Sequence, residues 1–393
     1  MLDQAAALPE RGRRPRNRRA LILAAASDLF ARCGYDQIGM SDLADAVAVR
    51  PSALYRHFSG KQHLLREVIA EGLIPLRNVV GSMDLTDRTV WLFRLGGLAL
   101  DERRIGMLWQ REARHMAPED HARLRAELYE IGQTFIERVR DARPDLNVNA
   151  ADLITWSIMA VLMSTSFHNL ELPRPAYEAL LAELAETVLE TQLPADFPAP
   201  GPAEPTPTLT PHLRREALLA QAVRMFAQAG YTGVGIEDIG AAVGIAGPSI
   251  YNHFPSKLDM LVTALRRGTA TLQMDMSAVY ATAGTAPEAL RRLVRSYVGF
   301  TQVHHDLVDL LITETRHLPE DEQRLTRQVQ HDYISEWVHL LRMVHPGIDL
   351  TPARVRVHAV LTVANDVART PHLRRNPSVP AALETICTRL LAV

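Results

Sequence analysis

Tyr55, His57 and Lys61 place a phenol hydroxyl, an imidazole and an ammonium within seven residues, and Tyr251, His253 and Lys257 repeat the set at the same spacing 196 positions later. Donors of these three kinds suit phosphate oxygens, which hold a protein in register on a duplex without reading its sequence. Phe58 and Phe254, carried inside the two sets, are expected to anchor a core instead. Between the shared donors the chemistry diverges. Arg50, Ser52, Ala53 and Arg56 in the first stretch face Ala246, Pro248, Ser249 and Asn252 in the second. An arginine can pair bidentately with guanine and an asparagine with adenine, so the differing positions are the candidates for base reading.

The elements that must present these groups are themselves duplicated. Residues 19 to 65 align with 215 to 261 without a gap, keeping Phe30, Gly34, Tyr35, Ala46 and Phe58 identical and exchanging Leu29 for Met225 or Leu54 for Ile250. An internal repeat of this length implies one structural unit used twice. Ile22, Ala26, Leu29 and Phe30 recur at helical spacing, and Gly34 and Gly230 stand where the first helix of each copy should stop. "MSDLADAV" (40 to 47) then predicts a short helix, "AVR" a tight turn and "PSALYRHF" (51 to 58) a second helix. Pro51 and Pro248 are compatible with a first helical turn, whose amides have no intrahelical partner. Two short helices joined by three residues describe a helix-turn-helix, whose second helix can enter a major groove. No stretch sustains the two-residue alternation of a strand, so an all-α fold is expected.

The 393 residues allow more than one core, and a formal net charge of −2 confines any nucleic-acid contact to local patches. One patch is "RGRRPRNRR" (11 to 19), six arginines in nine residues, of which Arg13, Arg14 and Arg16 are candidates for phosphate contact ahead of the first helix. With no apolar run of about 18 residues, no secretory pattern and only Cys33 and Cys387, a reduced cytoplasmic location without membrane insertion is expected. Seven prolines in residues 193 to 211 predict an extended linker that could span about 50 to 60 Å. The expected organisation is a basic arm (1–17), a first helix-turn-helix domain (18–66), a first helical body (67–193), the linker (194–211), a second helix-turn-helix domain (212–262) and a second body (263–393).

The stretch "ALILAAASDLFARCGYDQIGMSDLADAVAVRPSALYRHFSGKQHLL" resembles the DNA-binding region of the tetracycline-repressor (TetR) family, and residues 217 to 261 resemble a second one. The resemblance implies two tandem units, each a three-helix head on a helical ligand-binding and dimerising body, folded into an intramolecular pseudo-dimer. It places Tyr55, His57, Lys61 and their counterparts at the family's phosphate-contacting positions. Two departures stand out: Gly39 and Gly235 replace the usual Ser or Thr cap, and Arg50 replaces a small polar residue. The run "WQREARHM" is also similar to that of tandem TetR regulators from actinobacteria, some tied to lipid uptake, which points to an acyl or sterol-like effector.

Each body ends in two apolar helices, and in the family helices at this place form an intersubunit four-helix bundle; with both pairs in one chain, the bundle is expected to close internally and leave a monomer with pseudo-two-fold symmetry. Trp109, Phe135, Trp156, Met159 and Met163 are candidates to line a hydrophobic pocket, though core packing explains each of them too. Glu112, Arg114 and His115 recur as Glu314, Arg316 and His317, and an internal ion pair at a helix end is the simpler account of them. No zinc-hydrolase motif, phosphate loop or nucleophile elbow is present in the sequence, and neither cofactor, metal site nor catalysis is expected. The functional expectation is a ligand-responsive repressor reading a non-palindromic operator through two unequal heads. The alternative is a ligand-binding or protein-interaction module in which one head no longer holds DNA.

Overall fold

A computed structural model describes residues 18–82, 87–202, 209–245 and 247–393. Arg13, Arg14, Arg16 and Ala246 lie outside the described residues, as does the side chain of Pro248. The described residues are helical with no strand among them. They fall into two compact units, the first running to Ala142 and including Thr165–Asn169, the second made of Arg143–Ser164 and Leu170–Val393.

In the first unit, α1 (Arg18–Cys33), α2 (Met40–Ala46) and α3 (Pro51–Leu54) form a head on the start of α4 (Lys61–Gly81). Gly34 ends α1 at a φ of 86°, a conformation that a residue with a Cβ adopts only under strain. The body continues with α5 (Arg88–Asp101), α6 (Ile105–Met107), a π-turn (Leu108–Glu112), a 3₁₀ turn (Ala113–His115) and α7 (Pro118–Ala142). Trp91 and Phe135 meet edge to face in its interior, with centroids 5.2 Å apart.

The second unit contains α8 (Val148–Met163) and α9 (Ala176–Leu189), followed by the second head, α10 (Arg214–Ala229), α11 (Ile236–Ala242) and α12 (Gly247–Ile250), on α13 (Lys257–Thr282). Its body is α14 (Ala286–Val303), α15 (His305–Thr313), a 3₁₀ turn (Thr315–His317), α16 (Glu320–Val344), α17 (Leu350–Arg369), α18 (Pro371–Arg374) and α19 (Val379–Leu390). Side-chain caps start three of these helices: Asn147 accepts from the Ala150 amide at α8, Ser256 from Asp259 at α13 and Thr285 from Glu288 at α14.

The helices α8 and α9, encoded before the linker, pack with α17 and α19, encoded after it, into a four-helix bundle inside the second unit. Leu153, Ile154, Leu184, Val360, Ala364 and Leu383 are buried in these helices. At its margin Arg356 donates to Glu183 at 2.7 Å, and His372 pairs with Asp152 at 2.9 Å. The chain thus supplies both halves of the interface that a two-fold dimer would form between subunits. Because of this closure, the packing boundary falls at Ala142, well before the sequence linker.

Three differences from the sequence reading have physical causes. Val148–Phe167 is long and apolar enough to cross a membrane by length and composition, which the sequence reading missed, but 72% of it is buried inside the protein, as befits a core helix. The second motif helix is regular only over Pro51–Leu54, because beyond it the His57 and Phe58 amides both return to the Leu54 carbonyl and tighten the chain into turns. The linker is fastened for part of its length. Phe197 is buried, Asn147 Nδ2 donates to the Ala195 and Phe197 carbonyls, Asn376 Nδ2 donates to the Pro198 carbonyl at 2.7 Å, and the Gly201 amide donates to the Arg375 carbonyl.

Candidate nucleic-acid interface

In both heads the apolar residues of the motif are spent on a core, which leaves its polar residues outward. Leu43, Leu54 and Phe58 are buried in the first head, and Ile239, Ile250 and Phe254 in the second. Arg50, Ser52 and Arg56 are exposed around α3 and Ala53 is partly buried. Ser249 and Asn252 are exposed at the matching positions around α12. Tyr55 and Tyr251 keep 55% and 52% of their surface open, although large aromatic residues usually hide theirs. His57 is exposed and His253 partly so. Each head therefore presents a short polar ridge on a rigid apolar base.

The two lysines sit differently from the other donors. Lys61 Nζ donates to the Tyr35 and Ile38 carbonyls, each at 2.9 Å, and lies 4.0 Å from the centroid of the Tyr35 ring. Lys257 repeats this with the Tyr231 and Val234 carbonyls, both at 2.7 Å, and with the Tyr231 ring at 4.2 Å. Two of three ammonium protons are thus committed inside the head, so a phosphate would have the third at most. Burial pushes the Lys257 ammonium below its ordinary value, with Glu314 pulling the other way. The same lysine geometry in both copies ties the start of α4 or α13 to the turn after α1 or α10.

The turn inside each motif and the cap before it are also duplicated. Ala48 adopts a φ of 52° and its counterpart Gly244 one of 70°, which reverses the chain between the two motif helices. At Gly39 and Gly235, where the cap has no side chain, half of a capping box survives: the backbone amides donate to Asp42 and Asp238 at 2.7 and 2.9 Å. Arg19 is paired with Glu67 and Glu71, and its counterpart Arg215 lies 4.0 Å from the Phe254 ring centroid and donates to the His253 carbonyl. These arginines brace the heads.

The Glu-x-Arg-His segments, missed as part of a head in the sequence, touch them directly. Glu112 is buried and accepts the Tyr35 amide at 3.0 Å. His115 stacks on the Tyr35 ring at 4.8 Å and 13°. Glu314 is likewise buried, and His317 meets the Tyr231 ring at 5.3 Å. The recurrence of Tyr35 as Tyr231 and of His115 as His317, each histidine following its tyrosine in the same half, was the signal available in sequence.

The pocket candidates have packing partners of their own. In the first unit Trp109 stacks on His121 at 5.6 Å, and Phe135 meets Trp91. In the second, Trp156 meets His372 edge-on, Met159 is buried in α8 and Met163 is partly buried at its end. His304 occupies the junction of α14 and α15, and His305 pairs with the adjacent Asp306.

Two helix-turn-helix heads, each followed in sequence by a helical body, are the arrangement of a tandem helical DNA-binding protein. The family described as "Bacterial regulatory proteins, tetR family" matches residues 22–68 and again 218–264, the two heads and little else. Two stretches of this chain, in tandem, are thus similar to the DNA-binding region of that family. It is 26% identical over 157 residues to the "HTH-type transcriptional activator FasR" of Mycolicibacterium smegmatis, covering 40% of this chain and 71% of that protein. Among solved structures it is similar to a TetR-family transcriptional regulator from Bordetella parapertussis, at 21% identity and a TM-score of 0.43, over 45% of this chain and 93% of that one. It is also similar to the ketosteroid transcriptional regulator KstR2 of Mycobacterium tuberculosis, at 22% identity and a TM-score of 0.36, over 46% and 92%.

Proposed function

We propose that the protein is a ligand-responsive transcriptional regulator that grips two adjoining half-sites of unlike sequence with its two heads. The observation that carries this reading is a pair of matched scaffolds, each with its lysine clamp, whose exposed residues differ at Arg56 and Asn252. Tyr55 and His57, with Tyr251 and His253, would supply phosphate contacts common to both half-sites, while Arg50, Ser52, Arg56, Ser249 and Asn252 would face bases. A homodimer with one kind of head favours a palindrome; a fused pair is free of that constraint. FasR is named an activator, so an activating placement of the operator has a precedent beside the repressing one expected from the family's name. A small hydrophobic effector would act through the bodies by binding one arrangement of the chain better than another.

Selection from random duplex DNA followed by footprinting tests this. The expected site is non-palindromic, with Arg56→Ala relaxing base preference in one half and Asn252→Ala in the other, each by about 5- to 150-fold, the range of one lost bidentate contact. Contacts to some six to ten phosphates would weaken binding by about 10³ to 10⁵ between 50 and 200 mM salt. A clean palindrome, or indifference to either substitution, rejects two active and unequal heads.

A further inference from the structure

In each half of the chain one body segment reaches back to its own head at a single aromatic residue. In the first, Glu112 accepts the backbone amide of Tyr35 while His115 covers the ring of the same residue. Asp36 lies 3.6 Å from the other side of the imidazole, and Gln62 of α4 donates to the His115 carbonyl at 3.0 Å. The Tyr35 ring is also engaged by Lys61, three residues after Phe58 and the first residue of α4, directly after the turn that closes the reading motif. In the second half, His317 meets the Tyr231 ring and Lys257 holds the same residue, while buried Glu314 lies 3.4 Å from His317.

The segment that carries each histidine is itself seated closely on the long helix. A Cβ at Gly72 would come within 2.6 Å of Ile105, and one at Gly268 within 2.7 Å of Leu307. These glycines are 196 positions apart, so the seat is duplicated along with the heads. In the first unit the segment passes through a π-turn before it reaches Tyr35, a departure from regular helix that often accompanies function.

We infer that His115 with Glu112, and His317 with Glu314, are positioning residues that fix the angle of each reading head on its own body by clasping Tyr35 and Tyr231. The path runs from the body segment to the tyrosine, from the tyrosine to the lysine, and from the lysine to the turn that holds Tyr55 and His57 or Tyr251 and His253. None of these four clasp residues touches a base or a phosphate in this account. Each clasp serves its own head, so its loss is local.

The inference rests on the two-head reading of function, and its test uses the full-length chain in two arms. In the DNA arm, His115→Ala should weaken protection of one half-site about tenfold while the other stays within about twofold, and His317→Ala should do the reverse. His115→Phe, which keeps a flat ring over Tyr35, should restore protection. In the arm without DNA, His115→Ala should speed amide exchange in residues 34 to 38 by at least tenfold while the bundle helices exchange as in the parent, and Glu112→Gln provides a second variant with the same local pattern if the alanine form is poorly folded. Unchanged protection and exchange would overturn the clasp, as would equal weakening of both half-sites with faster exchange throughout. If the parent protein protects no DNA, the functional reading fails, and the exchange arm still decides whether the clasp holds the head.

Discussion

The ammonium of Lys61 lies 4.0 Å from the centroid of the Tyr35 ring and donates at 2.9 Å to the carbonyl of that same residue, and Lys257 holds Tyr231 in the same way. A charge placed there joins two ends of the head that are 26 residues apart in sequence. Lys61→Met keeps the stem but leaves the Tyr35 and Ile38 carbonyls without their donor. The expected cost is about 1 to 3 kcal/mol of local stability in the first head. Amide exchange across residues 34 to 66 reads it, and an unchanged pattern would mean that the lysine does not brace the turn.

Ala48 carries a Cβ at a φ of 52°, where its counterpart in the second head is Gly244. A left-handed conformation costs a residue with a Cβ about 1 to 2 kcal/mol, partly offset because glycine loses more backbone freedom on folding. Ala48→Gly should therefore stabilise the first head by about 0.5 to 1 kcal/mol, and Gly244→Ala should destabilise the second. Thermal unfolding of the two variants should move in opposite directions; movement in the same direction contradicts the assignment.

His358, on α17, has its pKa pushed down to about 4, first by burial and then by the charge of Arg354. The folded chain thus binds this proton less readily than the unfolded chain, whose imidazole titrates near its ordinary 6.5. Between those values the unfolded state holds more protons, so stability is fully present above about pH 6.5 and falls as the pH drops toward 4. The contribution lost is up to about 3 kcal/mol. Urea unfolding at pH 7 and pH 4.5 should show a steeper loss for the parent than for His358→Gln, and parallel curves would argue against it.

Asn376 is buried, donates to the Pro198 carbonyl at 2.7 Å and accepts from the Ser378 amide at 3.0 Å. It pins the strand of linker that carries Phe197. Asn376→Ala should cost about 1 kcal/mol, since it leaves a partly buried carbonyl and amide without their partner. Limited proteolysis should then cut residues 192 to 202 more quickly than in the parent. A resistant linker would show that Phe197 alone suffices.

Much of each head was legible because its signals are local. Helical spacing in α1, the stop at Gly34 and the three-residue turn all act within a few residues of one another. The repeat then doubled every such signal. Lys61 shows the limit: its charge and position matched a phosphate contact, and only the folded chain brought the Tyr35 and Ile38 carbonyls to it. Glu112 and His115 were visible as a repeated pair, yet their partner Tyr35 lies 77 residues from Glu112 in sequence. The five pocket candidates were chosen by residue type, which does not separate a ligand wall from a well-packed core.

The sequence by itself determined that this chain holds two heads of one design with different outward residues, because backbone periodicity, turn chemistry and side-chain identity are properties of short stretches. Tertiary structure decided what those stretches are fastened to: Glu112 and His115 to Tyr35, the linker to Asn376, and α8 and α9 to α17 and α19. Such pairings form only when apolar faces far apart in the chain find each other, and the hydrophobic drive that brings them together has no direction of its own to be read along the sequence.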